Sequence, residues 1–251
     1  MKIIQSILTK NPCYTAGKKI TVKGLMLHSV GCPQPSASVF VNNWNNVNYS
    51  RACVHAFIDG NSGKVYQTLP WNHRGWHCGG TANNTHIGVE MCEPACIKYV
   101  SGTTITCTDK TAARAVVQRT YDNAVLLFAH LCVKYALDPT TDIISHKEAG
   151  GKGVASNHSD PEHLWKQLGM GYTMNTFRKA VKTAMKADAA YMVKITASTL
   201  NVRAGVGVNH PITTTVNECE IYTIVDESNG WGKLKSGAGW INLKYTQKLK
   251  G

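Results

Sequence analysis

The sequence is short of paired cysteines, long apolar runs and acidic residues, and each shortage excludes something. Nine cysteines stand at 13, 32, 53, 78, 92, 96, 107, 132 and 219, an odd number without a CxxC pair. That scatter argues against the disulfide framework of a small secreted domain and suits a chain made in a reducing cytosol. Cys92 and Cys96 are close enough to share a metal, but no second pair follows at zinc-finger spacing, so buried thiols are the better reading. No run approaches the ~20 apolar residues of a membrane span, which argues against membrane insertion. Residues 1–10 are too poor in apolar side chains for a signal-peptide core, so synthesis in the cytosol without a signal peptide is expected. Dense Lys/Arg runs and RNA-binding signatures are also missing, which sets nucleic acid aside as a partner.

What is present is a 43% hydrophobic chain of 251 residues, enough for a medium domain with a small module attached. Lys and Arg outnumber Asp and Glu by 27 to 15, giving a formal charge of +12. Residues 1–184 carry +9 of this and residues 185–251 carry +3. A basic surface favours anionic polymers, including acidic wall polymers, and equally serves solubility.

Periodicity divides the chain. Residues 25–28 and 86–91 read as strands, and residues 54–58 and 65–68 as a hairpin around Asp59-Gly-Asn-Ser-Gly63. Residues 36–44 read as a short helix capped by Ser36. A long helix follows Asp109, with Ala113, Val117, Tyr121, Ala124, Phe128 and Leu131 on one stripe, and Asp138-Pro139 stops it. Another helix is expected near residues 161–168. The predicted fold is α/β, a mixed central sheet with flanking helices, over residues 1–178. A cationic helix tail leads into a linker at 179–191. Residues 192–251 switch to short strands with glycine turns, the grammar of a small all-β, SH3-like barrel.

Two histidines each close a short apolar run, Gly24-Leu-Met-Leu-His28 and Asp142-Ile-Ile-Ser-His146, and Ala155-Ser-Asn-His158-Ser-Asp160-Pro161 follows the second. Strand-end histidines belong at the carboxyl edge of a sheet, where open α/β folds bind ligands. Two imidazoles and a carboxylate gathered there make a three-ligand zinc site with one open position, the catalytic pattern.

Leu25-Met-Leu-His28, Arg74-Gly-Trp-His77-Cys-Gly-Gly, His86-Ile-Gly-Val-Glu90 and Ala155-Ser-Asn-His158-Ser-Asp160-Pro161, in that order, resemble the type 2 N-acetylmuramoyl-L-alanine amidases over roughly residues 20–170. This family includes phage endolysins, bacterial autolysins and peptidoglycan recognition proteins. Leu200-Asn-Val-Arg-Ala-Gly and Asn-Gly-Trp231-Gly-Lys-Leu with Gly-Trp240-Ile resemble a bacterial SH3 (SH3b) module. The resemblance implies a Zn2+ enzyme that cleaves the amide between N-acetylmuramic acid and L-alanine in peptidoglycan. It matches His28, His146 and Asp160 to the metal ligands and Glu90 to the catalytic carboxylate. His158 stands where many members carry an oxyanion-stabilising lysine, and two assignments stay open. Either His158 is the oxyanion donor and Asp160 the ligand, or His158 binds zinc and Asp160 orients it; the Asp-Pro wording favours the first. The resemblance places His55 and His77 around the groove. Trp76 beside His77 reads either as a stacking surface for sugar or peptide or as core, and Arg74 and Asn84 are read as candidate peptide contacts. Trp231 and Trp240 are candidates for a wall-binding shelf, with core and barrel-rim packing as the equal alternative. Glu93 is expected in solvent, and Glu148 as a solvated loop carboxylate.

A cytosolic enzyme with a wall substrate fits an endolysin of a Gram-positive, clostridial-like host, reaching the wall through a holin-type pore or by non-Sec export. A non-catalytic peptidoglycan-binding protein is the alternative, disfavoured because all three ligands and Glu90 are retained. A glycosidase needs paired carboxylates that do not stand out here.

Overall fold

The computed structural model describes residues 1–188 and 190–249, and the chain divides into two compact units, Met1–Lys182 and Thr183–Gly251. Residue 189 of the expected linker and residues 250 and 251 of the expected C-terminal module lie outside the described residues.

In the first unit the elements run β1 (Ile3–Gln5), α1 (Pro12–Thr15), β2 (Gly24–Ser29), α2 (Ala37–Trp44), β3 (Ala56–Ile58) and β4 (Val65–Gln67). A 3-10 turn (Thr81–Asn84), β5 (His86–Met91), β6 (Ile97–Ser101), β7 (Thr104–Cys107) and α3 (Lys110–Tyr135) follow. The rest is β8 (Ile143–Ser145), α4 (His146–Gly151), α5 (Glu162–Leu168) and α6 (Met174–Asp188). Six strands form one mixed sheet in the order β1-β4-β3-β5-β2-β8. β2 is parallel to both β5 and β8, and β3 is parallel to β5 but antiparallel to β4. A strand between two parallel neighbours is covered on both faces, which explains why every residue of β2 is buried.

The register sets the site. His28 pairs with Glu90, and Glu90 with Phe57, so the three side chains share one face. Met26, two residues before His28, lies on that face with Ile144, Cys78, Ala82 and Ala149. Further along it, Phe57 stacks on Phe40 of α2 at 4.9 Å. α3 begins where Asp109 accepts the N–H of Ala112, and it ends two residues before the expected Asp138 stop, at left-handed Ala136 (φ 52°). Phe177 of α6 meets Tyr121 and Phe128 of α3 edge-on.

Two local expectations need correction, and one element lies outside them. Ser36 makes no capping bond; the Ala37 N–H is taken by Asp59 Oδ2 at 2.9 Å, so the hairpin loop caps α2. Glu148 is not a loop carboxylate. It closes a capping box with Ser145 at the start of α4 and pairs with Arg178. The β6–β7 hairpin was not expected at all. It is fastened to α5 by Gln167, whose Oε1 accepts the Ile105 N–H (2.8 Å) and whose Nε2 donates to Thr103 O (2.7 Å).

The second unit holds β9 (Tyr191–Ile195), β10 (Thr199–Arg203), β11 (Ile212–Asn217), β12 (Ile221–Ser228), β13 (Trp231–Leu234), β14 (Trp240–Asn242) and β15 (Thr246–Lys248). Its sheet order is β11-β10-β14-β13-β12-β9-β15, around a core that includes Val193, Ile195, Val202, Ile224, Leu234 and Ile241. Asn229 and Gly230, both at positive φ, make the two-residue turn between β12 and β13. Among the described residues no helix is long and apolar enough to cross a membrane.

Candidate metal centre and active-site cleft

His28 is the fifth residue of β2, and His146 is the first residue of α4, directly after β8. Asp160 precedes Pro161 at the entry to α5. The chain folds these three together. His28 Nδ1 lies 3.1 Å from His146 Nδ1 and 3.3 Å from Asp160 Oδ2, and His146 Nδ1 lies 3.5 Å from Asp160 Oδ1. Among the described residues this is the group gathered closely enough to hold a metal, with ligand atoms within 4.8 Å of one another and all three residues buried. Two imidazole nitrogens and a carboxylate, each pointing at the others, are a donor set for a cation. Burial alone would push the Asp160 carboxyl up, but the three imidazoles that face it, His146, His158 and His28, outweigh burial and hold it well below the usual carboxylate range. Burial lowers His28 against the pull of Asp160, which favours the neutral form that binds a metal. Two nitrogens and one oxygen suit zinc, with a position left for water or substrate.

The group forms part of the lining of a cleft of about 570 Å3, to which Glu90, His77, His158, Tyr99, Thr103 and His163 also contribute. Glu90 Oε2 is inaccessible to solvent and has no hydrogen-bond partner. Burial first, then the charges of Asp160 and Glu93, raise the Glu90 carboxyl well above its ordinary value. His158 stays outside the donor group. Its side chain is 55% exposed, its ring stacks on His146 at 4.1 Å, and its Nδ1 is 3.6 Å from Asp160 Oδ1. The nearby Asp160 carboxylate raises its pKa.

The expected groove residues fare differently. His55 is 0% exposed, and its nitrogens are spent on His73 O (2.8 Å) and the Gly88 N–H (3.0 Å), so it has nothing to offer a substrate. Trp76 packs against the Leu8, Cys13, Cys53 and Leu69 cluster, outside the cleft lining. Arg74 donates to Asn84 Oδ1, and neither lines the cleft. His77 does line it, yet its ring is engaged with His28 and His86. Glu93 is 0% exposed rather than solvated, accepting the Gly31 N–H at 3.1 Å and the Tyr99 O–H at 2.8 Å. In the second unit Trp231 lines a cleft of about 260 Å3 with Leu200, Asn201, Arg203 and Tyr245, whereas Trp240 lies outside that lining. Sequence reading missed Tyr99, Thr103 and His163 as cleft walls, because the hairpin carrying two of them has no strong alternation. It also missed Ser156, whose Oγ is 3.1 Å from His146 Nε2.

Fold and site together define an α/β protein with a metal-ready donor group beside a buried, unpartnered carboxyl oxygen. The chain belongs to the N-acetylmuramoyl-L-alanine amidase family, whose profile matches residues 18–163. Its fold is similar to that of Staphylococcus aureus hydrolase AmiA in complex with its ligand (19% identity, 75% of this chain and 85% of that one, TM-score 0.57). It is also similar to the catalytic domain of XlyA (22% identity, 72% and 99% coverage, TM-score 0.50) and to a mutant endolysin from Bacillus subtilis (21%, 72% and 99%, TM-score 0.50). Comparison with curated proteins finds no match.

Proposed function

We propose that the protein is a zinc-dependent peptidoglycan hydrolase that cleaves the amide between N-acetylmuramic acid and the L-alanine of the stem peptide. The observation that carries this reading is the convergence of His28, His146 and Asp160 beside the unpartnered Glu90 oxygen in one cleft. When bound by His28 Nδ1, His146 Nδ1 and Asp160, zinc supplies Lewis acidity to the carbonyl and activation of water. Glu90 takes the proton from the attacking water and passes it to the departing amine, as a carboxyl of raised pKa does well near neutral pH. His158, exposed in the cleft with its pKa raised by the neighbouring Asp160, donates to the oxyanion that develops on the carbonyl. Asp160 rather than His158 serves as third ligand, because its oxygens face both imidazoles while His158 stacks on the outside of one.

Residues 192–251 serve as an SH3b-type wall-binding domain, with Trp231 flooring its cleft, and the +12 charge assists contact with anionic wall polymers. The whole acts as an endolysin on a Gram-positive, clostridial-like wall, made in the cytosol and released to the wall by a holin-type pore or non-Sec export. Digestion of purified wall by zinc-loaded and chelated protein tests the reading. New N-terminal alanine without new reducing sugar ends is expected from the loaded form alone. New reducing ends, or cleavage that survives chelation, refute it.

A further inference from the structure

His77 lines the cleft, but its ring is turned onto protein, and the protons can be followed. The His86 carbonyl only accepts, so His77 Nε2, 3.1 Å away, carries the hydrogen. A neutral imidazole has one N–H, which leaves a lone pair on His77 Nδ1. That atom is 3.0 Å from His28 Nε2, so His28 donates to it. The lone pair of His28 is thereby placed on Nδ1, facing Asp160.

A second chain does the same for His146. Ser156 Oγ donates its one hydrogen to the Cys78 carbonyl at 3.1 Å. The oxygen then accepts from His146 Nε2 at 3.1 Å, and the His146 lone pair falls on Nδ1, 3.5 Å from Asp160 Oδ1. The two chains start from neighbouring residues. His77 N–H and Cys78 N–H both donate to one atom, Asn83 Oδ1, at 2.9 and 3.1 Å. The His77 ring rests on Gly88, where a Cβ would come within 2.5 Å of it.

We propose that the His77-Cys78 pair, clamped by Asn83, is a positioning device that holds both metal-binding imidazoles as Nε2–H tautomers with their Nδ1 lone pairs aimed at Asp160. His77 acts through its ring on His28, and Cys78 acts through its carbonyl and Ser156 on His146. The device rests on the reading of His28 and His146 as zinc ligands. It gives the Gly-Trp-His-Cys segment a role in metal binding rather than in substrate contact. Outer partners of ligating histidines typically set metal affinity by about 10- to 100-fold.

Zinc affinity of the full chain, measured by competition with a chromogenic chelator, tests it. His77→Ala and Ser156→Ala should each weaken zinc by about 10- to 100-fold. His77→Gln and Ser156→Thr, which restore an acceptor at the same place, should recover most of the loss at unchanged circular dichroism. A second measurement needs no variant: in 15N-labelled metal-free protein, scalar coupling across the N–H···N bond should join His28 Nε2 to His77 Nδ1. Alanine variants that bind zinc within threefold of the parent, or a His28 hydrogen found on Nδ1, overturn the proposal alone. A parent chain that takes up no zinc overturns the ligand reading, and the device with it.

Discussion

Glu93→Gln is expected to stabilise the protein at alkaline pH and to do little in acid. Glu93 is fully buried two residues beyond β5, where the Gly31 N–H and the Tyr99 O–H donate to it. Burial wins over those bonds, with Asp160 adding repulsion, and pushes the carboxyl up to about 7. A carboxyl raised on folding keeps a proton that the unfolded chain has released, so stability falls as pH climbs from the unfolded value of 4.5 towards 7. At about 1.4 kcal/mol for each tenfold change in proton affinity, the full cost above pH 7 is about 3 kcal/mol. Glutamine is uncharged and can reproduce the protonated acid. Its Oε1 takes the Gly31 N–H and its amide donates to the Tyr99 oxygen. Tyr99 is then free to donate to His163 Nε2, 2.8 Å away. Urea unfolding of the full chain at pH 5 and pH 8 measures the difference. The variant should exceed the parent by about 2–3 kcal/mol at pH 8 and by less than about 1 kcal/mol at pH 5. A gap that does not change with pH, or a variant weaker than the parent at pH 8, refutes the assignment of a proton to Glu93.

Other expectations concern the cleft itself. Glu90→Gln should keep its zinc, measured by atomic absorption, and lose about 10^2- to 10^4-fold in kcat; turnover at the parent level removes Glu90 as the base. His158→Lys should carry activity to higher pH. A histidine donor is lost as pH rises through its pKa, even one raised by Asp160, whereas lysine holds its proton to about 10. An unmoved alkaline limb in kcat/KM takes His158 out of the oxyanion role. Gly88→Ala forces a methyl against the His77 ring, so it should cost about 1–3 kcal/mol in urea and weaken zinc as His77→Ala does. A variant of parental stability and affinity shows that the ring is not seated on Gly88.

Much of this site was legible because its parts sit on periodic elements. The apolar runs ending in His28 and His146 are strands whose ends the sheet order brings side by side, and Glu90 interrupts an apolar strand at the registered position. Less legible were groups whose roles depend on neighbours distant in sequence. Glu93 looks like an exposed carboxylate until the β6–β7 hairpin, itself weakly patterned, brings Tyr99 over it. His55, Trp76 and Arg74 occupy a recognisable motif, but a motif does not say which way a side chain turns; His55 turns to backbone groups of the core, and Trp76 packs away from the cleft. Glu148 reads as loop even though Ser145-His-Lys-Glu148 has the spacing of a capping box, because the helix it opens is only six residues long and the apolar run before it reads as a strand.

Asp160 and Glu90 line the cleft, Glu93 is buried behind its Gly31 and Tyr99 wall, and the environments of the three carboxyls grade them. Asp160 meets three imidazoles and stays ionised despite burial. Glu93 meets hydrogen-bond donors that include Gly31 and Tyr99, and burial still pushes it up to about 7. Glu90 meets no donor at Oε2 and is the one pushed well above its ordinary value with nothing to offset it. Carboxyls driven apart in this way sort themselves into chemical roles. The ionised one suits a cation, and the unpartnered one suits proton transfer. The two roles are also coupled. After burial, the charge of Asp160 is the next cause of Glu90's elevation, so a cation on Asp160 lowers Glu90 towards the range where it can accept a proton. Removing a cation from Asp160 would therefore do more than remove a Lewis acid: it would restore the full push of the Asp160 charge on Glu90.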